Sequence, residues 1–456
     1  MSSTLHIPAS LLQDLRPLPG FDEQAFVAAH AQPAPVSVRL HPVKGGGIYT
    51  DLPAIPWCDG GRYLPERPIF TLDPAYHAGA YYVQEASSIF LHHVLRGIIG
   101  QRKGLRVLDL CAAPGGKSTL IASLLDADGL LVSNEVIRTR ASILEENMLR
   151  WGYMNTWVTS NDPRDLGRLT GYFDIIVVDA PCSGSGLWRK DAAALNEWSE
   201  ANVQLCAARQ QRILADVWPA LKTGGTLVYA TCSYSPQEDE DILDHLATEL
   251  HAGTLPIPID ASWGIEEVVS PLQKQTGYRF FPHRVRGEGF FIAAMTKNDD
   301  AGSLKTADKK HTPDKKIQQM AGHYFGNSDV LLLPGKDGSY NAIRPQHHTD
   351  LQLLQKAVFL RRTGIEAGMP SAKEWLPAHD IALSVDTTKD IPHIDVSKEQ
   401  ALHFLKREEM GMADVPKGWY IVRYNGLGLG WVKALGNRMN NYLPKHWRIR
   451  MNIDEI

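Results

Sequence analysis

Between Leu105 and Met295, short apolar runs alternate with turns and amphipathic stretches. That texture leaves one main solution, a parallel sheet covered by helices. The runs place strands at 105–110, 129–134, 156–159, 173–178, 225–230 and 289–295, and the amphipathic stretches place helices at 117–125, 137–151 and 195–221. Runs such as Ile175-Ile176-Val177-Val178 are apolar on both faces, as strands covered on two sides must be. In such sheets ligands bind beyond the carboxyl ends of the strands, so the residues directly after each run are the candidates for chemistry.

Two of those residues are cysteines 50 positions apart, Cys182 in Asp179-Ala180-Pro181-Cys182-Ser183-Gly184 and Cys232 in Ala230-Thr231-Cys232-Ser233-Tyr234. Neighbouring strands would turn both thiols toward one pocket. The plainer alternative is a pair of small buried side chains, since free cysteine is among the most buried residue types.

The first strand runs into Leu108-Asp109-Leu110-Cys111-Ala112-Ala113-Pro114-Gly115-Gly116-Lys117-Ser118. A phosphate-binding P-loop needs glycine where Cys111 stands, and the dinucleotide fingerprint needs spaced rather than adjacent glycines. Both fail. What remains is a strand, a tight turn and a helix start where backbone N–H groups can approach a ligand. Glu135, 20 residues after Gly115 (135 − 115), ends the second strand where a carboxylate can hold ribose hydroxyls. A nucleoside cofactor without a pyrophosphate fits, and S-adenosylmethionine is the common one. Asp162 and Asp179 continue the acid series after the third and fourth strands; for Asp162 a solvated cap is an equally ordinary reading.

A chain of 456 residues exceeds one core, and its texture divides it. Residues 1–98 form a small α+β preface, 99–298 the central domain, 299–318 a linker, 319–388 a connecting α+β unit and 389–456 a terminal β module. The linker reading rests on Lys297 to Lys316, which holds six Lys, four Asp and almost nothing apolar. The five cysteines, 58, 111, 182, 206 and 232, contain no C-x-x-C pair, so neither a disulfide framework nor a metal site is expected. With no apolar run of membrane-spanning length and no secretory leader pattern, a cytoplasmic chain is expected, with no membrane partner. Nothing points to a large exposed apolar face, so a monomer is expected. A net charge of −4 leaves nucleic-acid binding to local patches. One lies from Lys417 to Ile456, where seven Lys or Arg are interleaved with Trp419, Tyr420, Tyr424, Trp431, Tyr442 and Trp447 against only Asp454 and Glu455. Period-2 alternation in Trp419-Tyr420-Ile421-Val422-Arg423-Tyr424 must turn some of these rings into a core and leave others for RNA.

Together, Cys111-Ala112-Ala113-Pro114-Gly115-Gly116-Lys117, Asp179-Ala180-Pro181-Cys182-Ser183-Gly184-Ser185-Gly186 and Tyr229-Ala230-Thr231-Cys232-Ser233 closely resemble the Nop/Sun-type RNA cytosine-C5 methyltransferases. Tyr81-Tyr82-Val83-Gln84-Glu85-Ala86-Ser87-Ser88 before the first strand, and Phe281-Pro282-His283-Arg284 with Gly287-Glu288-Gly289-Phe290-Phe291 near the last, extend the resemblance over residues 30 to 295. Beyond 319 the tail resembles the bacterial subgroup that acts on small-subunit ribosomal RNA. The resemblance implies a Rossmann-like class I methyltransferase core, with a mixed, mainly parallel seven-stranded sheet, an RNA-binding RRM-like preface and a PUA-like terminal module.

It also implies roles. Cytosine C5 is too weak a nucleophile to take a methyl group until a thiolate adds at C6, and the resemblance gives that step to Cys232. It sets Asp179 against N3 and N4 of the base, assigns Cys182 to product release, and allows Lys190 to orient Asp179 or the base, where a solvated loop lysine is the alternative. The implied cofactor contacts are Cys111, Ala112, Ala113, Pro114, Gly115, Gly116 and Lys117 around the methionine and ribose, Glu135 on the ribose, Asp162 near adenine, and Asp179 at the boundary with the base. One departure is Asn161-Asp162-Pro163-Arg164, where the family often has Asp-Gly or Asp-Ala; the proline restricts the backbone at Asp162. The expected substrate is RNA, 16S rRNA or the small subunit, with the base unstacked before attack. A transfer-RNA enzyme is the rival within the class. An inactive RNA-binding assembly factor is the rival outside it, against which every residue the chemistry needs is present.

Overall fold

The computed structural model describes residues 7–300, 302, 314–326, 329–410 and 414–452. The apolar runs lie side by side as β1 (Arg106–Asp109), β2 (Leu130–Asn134), β3 (Thr156–Thr159), β4 (Phe173–Asp179), β5 (Leu221–Thr231), β6 (Thr276–Phe280) and β7 (Phe290–Lys297). Their order is β6-β7-β5-β4-β1-β2-β3. The five strands from β1 to β5 are parallel, and β7 enters antiparallel between β5 and β6. This is the expected mixed, mainly parallel sheet. Three short strands widen it: Glu266–Val269 outside β6, Ala252–Thr254 on β7 and Leu360–Arg362 outside β3.

The helices that cover the sheet are α1 (Gly116–Ala122), α2 (Arg138–Trp151), α3 (Pro163–Gly167), α4 (Glu200–Val217) and α5 (Glu240–Glu249). Every residue of β2 and β3 is buried, as a strand with both faces covered requires. On one face Val107, Ile175 and Val177 pack with Leu120, Leu144 and the preceding helix Leu91–Ile99. On the other, Leu108, Ile176 and Val178 pack with Ile213, Leu214, Ile242 and Leu246.

Three sequence expectations need correction. The helix expected over 195–221 is two helices, Ala192–Glu197 and α4; the Ser199 side chain caps α4 by accepting from Asn202 N, Pro219 sits in the turn after it, and Leu221 already belongs to β5. The linker expected over 299–318 ends too late, and the charged run it was read from starts inside a strand. Lys297 closes β7 in a buried position, donating 2.8 Å to the Trp218 carbonyl, and Lys315 and Lys316 open the helix Lys315–Ala321. Most of the stretch between, including Lys305, Lys309 and Lys310, lies outside the described residues. Finally, α5 and β6 were not expected at all. Arg279 interrupts the apolar pattern of β6, yet it is buried because Asp239 and Glu240 neutralise it, with Asp239 Oδ2 3.0 Å away.

In the preface, Ala54–Ile55, Cys58–Leu64, Val36–Leu40 and Tyr81–Val83 make an antiparallel four-stranded sheet in that order. Within 319–388, Leu331–Pro334, Tyr340–Ile343, Ile365–Pro370 and Trp375–Pro377 form a four-stranded sheet of their own in that order, which packs on the central domain: Leu331, Leu333, Ile343, Leu351 and Leu354 share the core of β1 and β4, and Arg106 pairs with Asp350 at 2.7 Å. In the last sheet His393–Asp395, Gly418–Tyr424, Leu427–Ala434 and Met439–Asn441 are adjacent in that order. There Trp431 is fully buried, Trp419 packs edge-on against it at 6.2 Å, and Tyr442 is exposed, so the rings divide between core and surface. Asp454 and Glu455 lie outside the described residues.

Candidate active site

β1 delivers Asp109 and then the turn Leu110 to Gly115. Gly115 has φ +115°, a left-handed conformation that disfavours any side chain, and the space beside it is closed by Asn147 Cβ and Leu144 Cδ1, each 3.3 Å from where a Cβ would sit. The backbone of the turn is held from several sides. Ala112 N donates to Asn134 O at 2.8 Å, Arg140 Nη2 donates to Ala113 O at 2.8 Å, and Asn147 Nδ2 donates to Pro114 O at 2.7 Å. Arg39, from the sheet of the preface, donates through Nη2 to Gly116 O at 3.2 Å and to Thr119 Oγ1 at 2.6 Å. Pattern reading missed Arg39; its one signal is a lone charge inside the apolar strand Val36-Ser37-Val38-Arg39-Leu40. Burial pulls its guanidinium down to about 10, so it remains charged at neutral pH.

The acids gather around this turn. Asp109 is fully buried with Oδ2 accepting from Ser118 Oγ at 2.6 Å, while its other oxygen has no partner. Burial pushes its carboxyl up to about 7 against the pull of Ser118, and Asp179 and Glu135 push the same way. Glu135 Oε1 accepts from Ile137 N at 2.9 Å, with Arg140 Nη1 3.5 Å from the other oxygen. The Cys111 thiol is pushed up by burial and then by Asp109, Asp179 and Glu135, which makes it a neutral lining group. Asp162 caps α3, its Oδ1 accepting from Arg164 N at 3.1 Å, and Pro163 occupies the first helical position, where its fixed φ suits a helix start. The proline therefore serves the cap.

Asp179 ends β4, and the lysine that reaches it is Lys117, with Nζ 2.7 Å from Oδ2. Lys190 does not orient Asp179; it lies exposed on the loop, its backbone N donating to Leu187 O at 2.8 Å. Burial opposes the charge of Lys117, but the charge and hydrogen bond of Asp179, with Asp109 and Cys232 behind them, more than offset that and raise its pKa. Three acids, Asp109, Glu135 and Asp179, thus border the turn, with two cations near them, Lys117 on Asp179 and Arg140 beside Glu135. A turn lined by acids suits a cofactor carrying a sulfonium and an ammonium, so the residues present fit S-adenosylmethionine.

The parallel register sets Asp179 opposite Ala230, three and two residues ahead of Cys182 and Cys232 (182 − 179 and 232 − 230). The two sulfur atoms consequently meet at 3.1 Å, both reduced, far beyond the ~2.0 Å of a disulfide. Gly186 closes the arrangement: its N donates to Cys232 O at 2.8 Å, and a Cβ there would lie 2.5 Å from Gly289 O. The Cys182 thiol is pushed well above its usual range by its hydrogen bond to Cys232, by burial, and by the charges of Cys232 and Glu238. The two thiols thus share one sulfur–sulfur hydrogen bond, and the surroundings of Cys182 disfavour its ionisation.

A sheet of this order, with a rigid glycine turn beyond β1 lined by acids, defines an S-adenosylmethionine-dependent methyltransferase. Residues 98–296 match the family described as 16S rRNA methyltransferase RsmB/F, residues 7–86 the N-terminal domain of 16S rRNA methyltransferase RsmF, and residues 391–449 the methyltransferase RsmF PUA domain. The ribosomal RNA small subunit methyltransferase F of Shewanella sediminis is 32% identical over 450 residues, covering 92% of each chain, and that of Aeromonas salmonicida is 31% identical, again covering 92% of each. The chain belongs to the RsmB/F family of methyltransferases, with all three regions of its F-type members. Among solved structures it is similar to a methyltransferase homologue from Pyrococcus horikoshii, with a TM-score of 0.51 and 26% identity over 64% of this chain and all of that one. Among the described residues no helix is long and apolar enough to cross a membrane, and no cluster of potential metal ligands occurs.

Proposed function

We propose that this protein transfers a methyl group from S-adenosylmethionine to C5 of a cytosine in RNA, with 16S rRNA as substrate, through a covalent adduct between Cys232 and C6. The observation that carries the reading is the thiol pair, two reduced sulfurs 3.1 Å apart beside the Lys117–Asp179 ion pair. Two thiols serve a reaction that must both form and break a carbon–sulfur bond.

The cofactor supplies an electrophilic methyl group. The turn from Cys111 to Lys117 and the carboxylate of Glu135 would hold it, with Asp162 toward the adenine. In the substrate half, Cys232 as thiolate adds to C6, and the C5–C6 π electrons shift toward C5, which becomes nucleophilic. Asp179, anchored by Lys117, stabilises the charge that develops at N3 and N4. Once C5 carries the methyl group, its proton passes to a water molecule, the electron pair of that C–H bond re-forms the C5–C6 double bond, and the carbon–sulfur bond breaks with its pair on sulfur, returning the Cys232 thiolate. Cys182 takes part in this release; Lys190, on the exposed rim, would contact the base or its flanking phosphate.

RNA as the substrate is supported by the PUA domain and the basic, aromatic segment from Lys417 onward. The 16S assignment follows from the relatives' names. The purified protein with S-adenosylmethionine and either deproteinised 16S rRNA or small subunits tests it. Bisulfite sequencing should then find a new 5-methylcytosine in one of the two substrates; methylation of transfer RNA alone, or of neither, would overturn it.

A further inference from the structure

The two cysteine loops are joined at a third residue, Glu238, in the turn between β5 and α5. Its carboxylate is fully buried and accepts four hydrogen bonds: from Ser183 N at 2.8 Å, from Ser183 Oγ at 2.5 Å, from Ser233 Oγ at 2.6 Å and from Gln210 Nε2 at 3.3 Å. Ser183 follows Cys182 and Ser233 follows Cys232, so one side chain grips the residue next to each thiol. Gln210 Nε2 also donates to Pro181 O at 3.1 Å, tying α4 to the same loop. The Glu238 backbone is fixed as well, its carbonyl accepting from Tyr229 Oη at 2.6 Å. Burial pushes the Glu238 carboxyl above its usual range, and the hydrogen bonds from Ser183, Ser233 and Gln210 oppose that push; four donors and no acceptor around the group match its ionised form. Ser233 Oγ already accepts from Ser235 N at 3.0 Å, which leaves its hydrogen for Glu238.

We propose that Glu238 is the positioning residue of the thiol pair: its carboxylate sets the separation of Cys182 and Cys232 through Ser183 and Ser233 and stands as a buried acid behind the Cys182 loop. The inference deepens the proposed function and rests on its reading of Cys232 as the attacking thiol. A negative charge placed toward one of two hydrogen-bonded thiols makes that thiol the harder to ionise, leaving the other as thiolate. Such a charge acts on Cys182 from Glu238. On the cofactor side Lys117 faces Cys232. Among the described residues the other titratable neighbours are Asp179, Tyr229 toward Cys182, and Tyr234 and Cys206 toward Cys232; burial raises both tyrosines and Cys206 and keeps these three neutral. The two loops nevertheless differ in their grip on Glu238: Ser183 donates through both N and Oγ, Ser233 through Oγ alone.

Limited alkylation of the full-length protein by iodoacetamide between pH 6 and 10, without RNA or cofactor, reads this directly, with the two cysteines quantified by peptide mass spectrometry. In the wild type Cys232 should react faster than Cys182. Glu238→Gln keeps the shape and removes the charge; the Cys232-to-Cys182 ratio should fall about tenfold, and kcat should fall while KM for S-adenosylmethionine stays within twofold. An unchanged ratio in a folded Glu238→Gln overturns the proposal, as does faster alkylation of Cys182 in the wild type. Should Glu238→Gln fail to melt cooperatively, Ser233→Ala removes one tether and must lower the ratio in the same direction, and an unchanged ratio there is equally fatal. Because alkylation requires no methyl transfer, a wild type that shows the expected ratio but makes no 5-methylcytosine would refute the proposed function alone.

Discussion

Lys117 spans from the cofactor turn to the substrate side, its Nζ 2.7 Å from Asp179 Oδ2 and 5.2 Å from the centre of the Phe290 ring. The first residues of α1 and the last residue of β4 are thereby locked in one geometry, so the cofactor turn and the base site proposed for Asp179 share an anchor. Lys117→Met should leave the fold intact but free Asp179 from its only ion-pair partner among the described residues. Methylation kcat should fall about a hundredfold, measured by tritium transfer from labelled cofactor. An unchanged kcat would show that Asp179 needs no anchor.

Asp109 makes stability depend on pH in a direction opposite to most carboxylates. Unfolded, it ionises near 3.9; folded, burial holds its proton to about 7. The folded state binds more protons across that window, so its stability falls as pH rises from about 4 to about 7. Asp109→Asn keeps a hydrogen-bonding partner for Ser118 and removes the titration. Its Tm relative to wild type should climb by several degrees from pH 4 to pH 7 and level off above, read by differential scanning fluorimetry. Parallel Tm curves would contradict this.

Arg39 braces the glycine turn from outside the central domain, through Gly116 O and Thr119 Oγ1. Arg39→Met should loosen the turn, raising KM for S-adenosylmethionine about tenfold with kcat changed much less. It should also cost about 1–3 kcal/mol of stability, because Thr119 and Gln84 lose a buried partner. Steady-state kinetics and urea unfolding check the two effects separately.

The parts of this protein that sequence could show are those where chemistry and periodicity agree. Ile175 to Val178 could only be a buried strand, and Asp179, directly after it, had to emerge at the sheet's edge. Residues whose burial depends on distant partners were hidden. Arg279 looks like a surface residue until Asp239 and Glu240 are placed beside it. Glu238, in Ser235-Pro236-Gln237-Glu238, has the look of a solvated turn, because its partner Ser183 is 55 residues away. The lysine on Asp179 could not be chosen by sequence distance: Lys190 is nearer along the chain, and the fold brings Lys117. The edge strand Leu360–Arg362 is too short and too polar to declare itself, and it forms because β3 offers an open edge.

Gly186 is required for space. A methyl group there would meet the Gly289 and Cys232 carbonyls at 2.5 and 2.8 Å, both backbone atoms that cannot turn aside. Gly186→Ala should destabilise the protein by about 1–3 kcal/mol and displace the Cys182 loop from Cys232. A thermal melt combined with the iodoacetamide ratio should show both changes; a variant with wild-type stability and thiol reactivity would mean that the loop has room to move.

The division of labour between the two thiols is most directly tested by trapping the enzyme on its substrate. Cys182→Ala and Cys232→Ala are each incubated with S-adenosylmethionine and substrate RNA, then resolved by denaturing electrophoresis. Cys182→Ala should accumulate a covalent protein–RNA adduct, because attack proceeds and release fails, whereas Cys232→Ala should form none and make no 5-methylcytosine. An adduct formed by Cys232→Ala and absent from Cys182→Ala would contradict these roles and exchange them between the two cysteines.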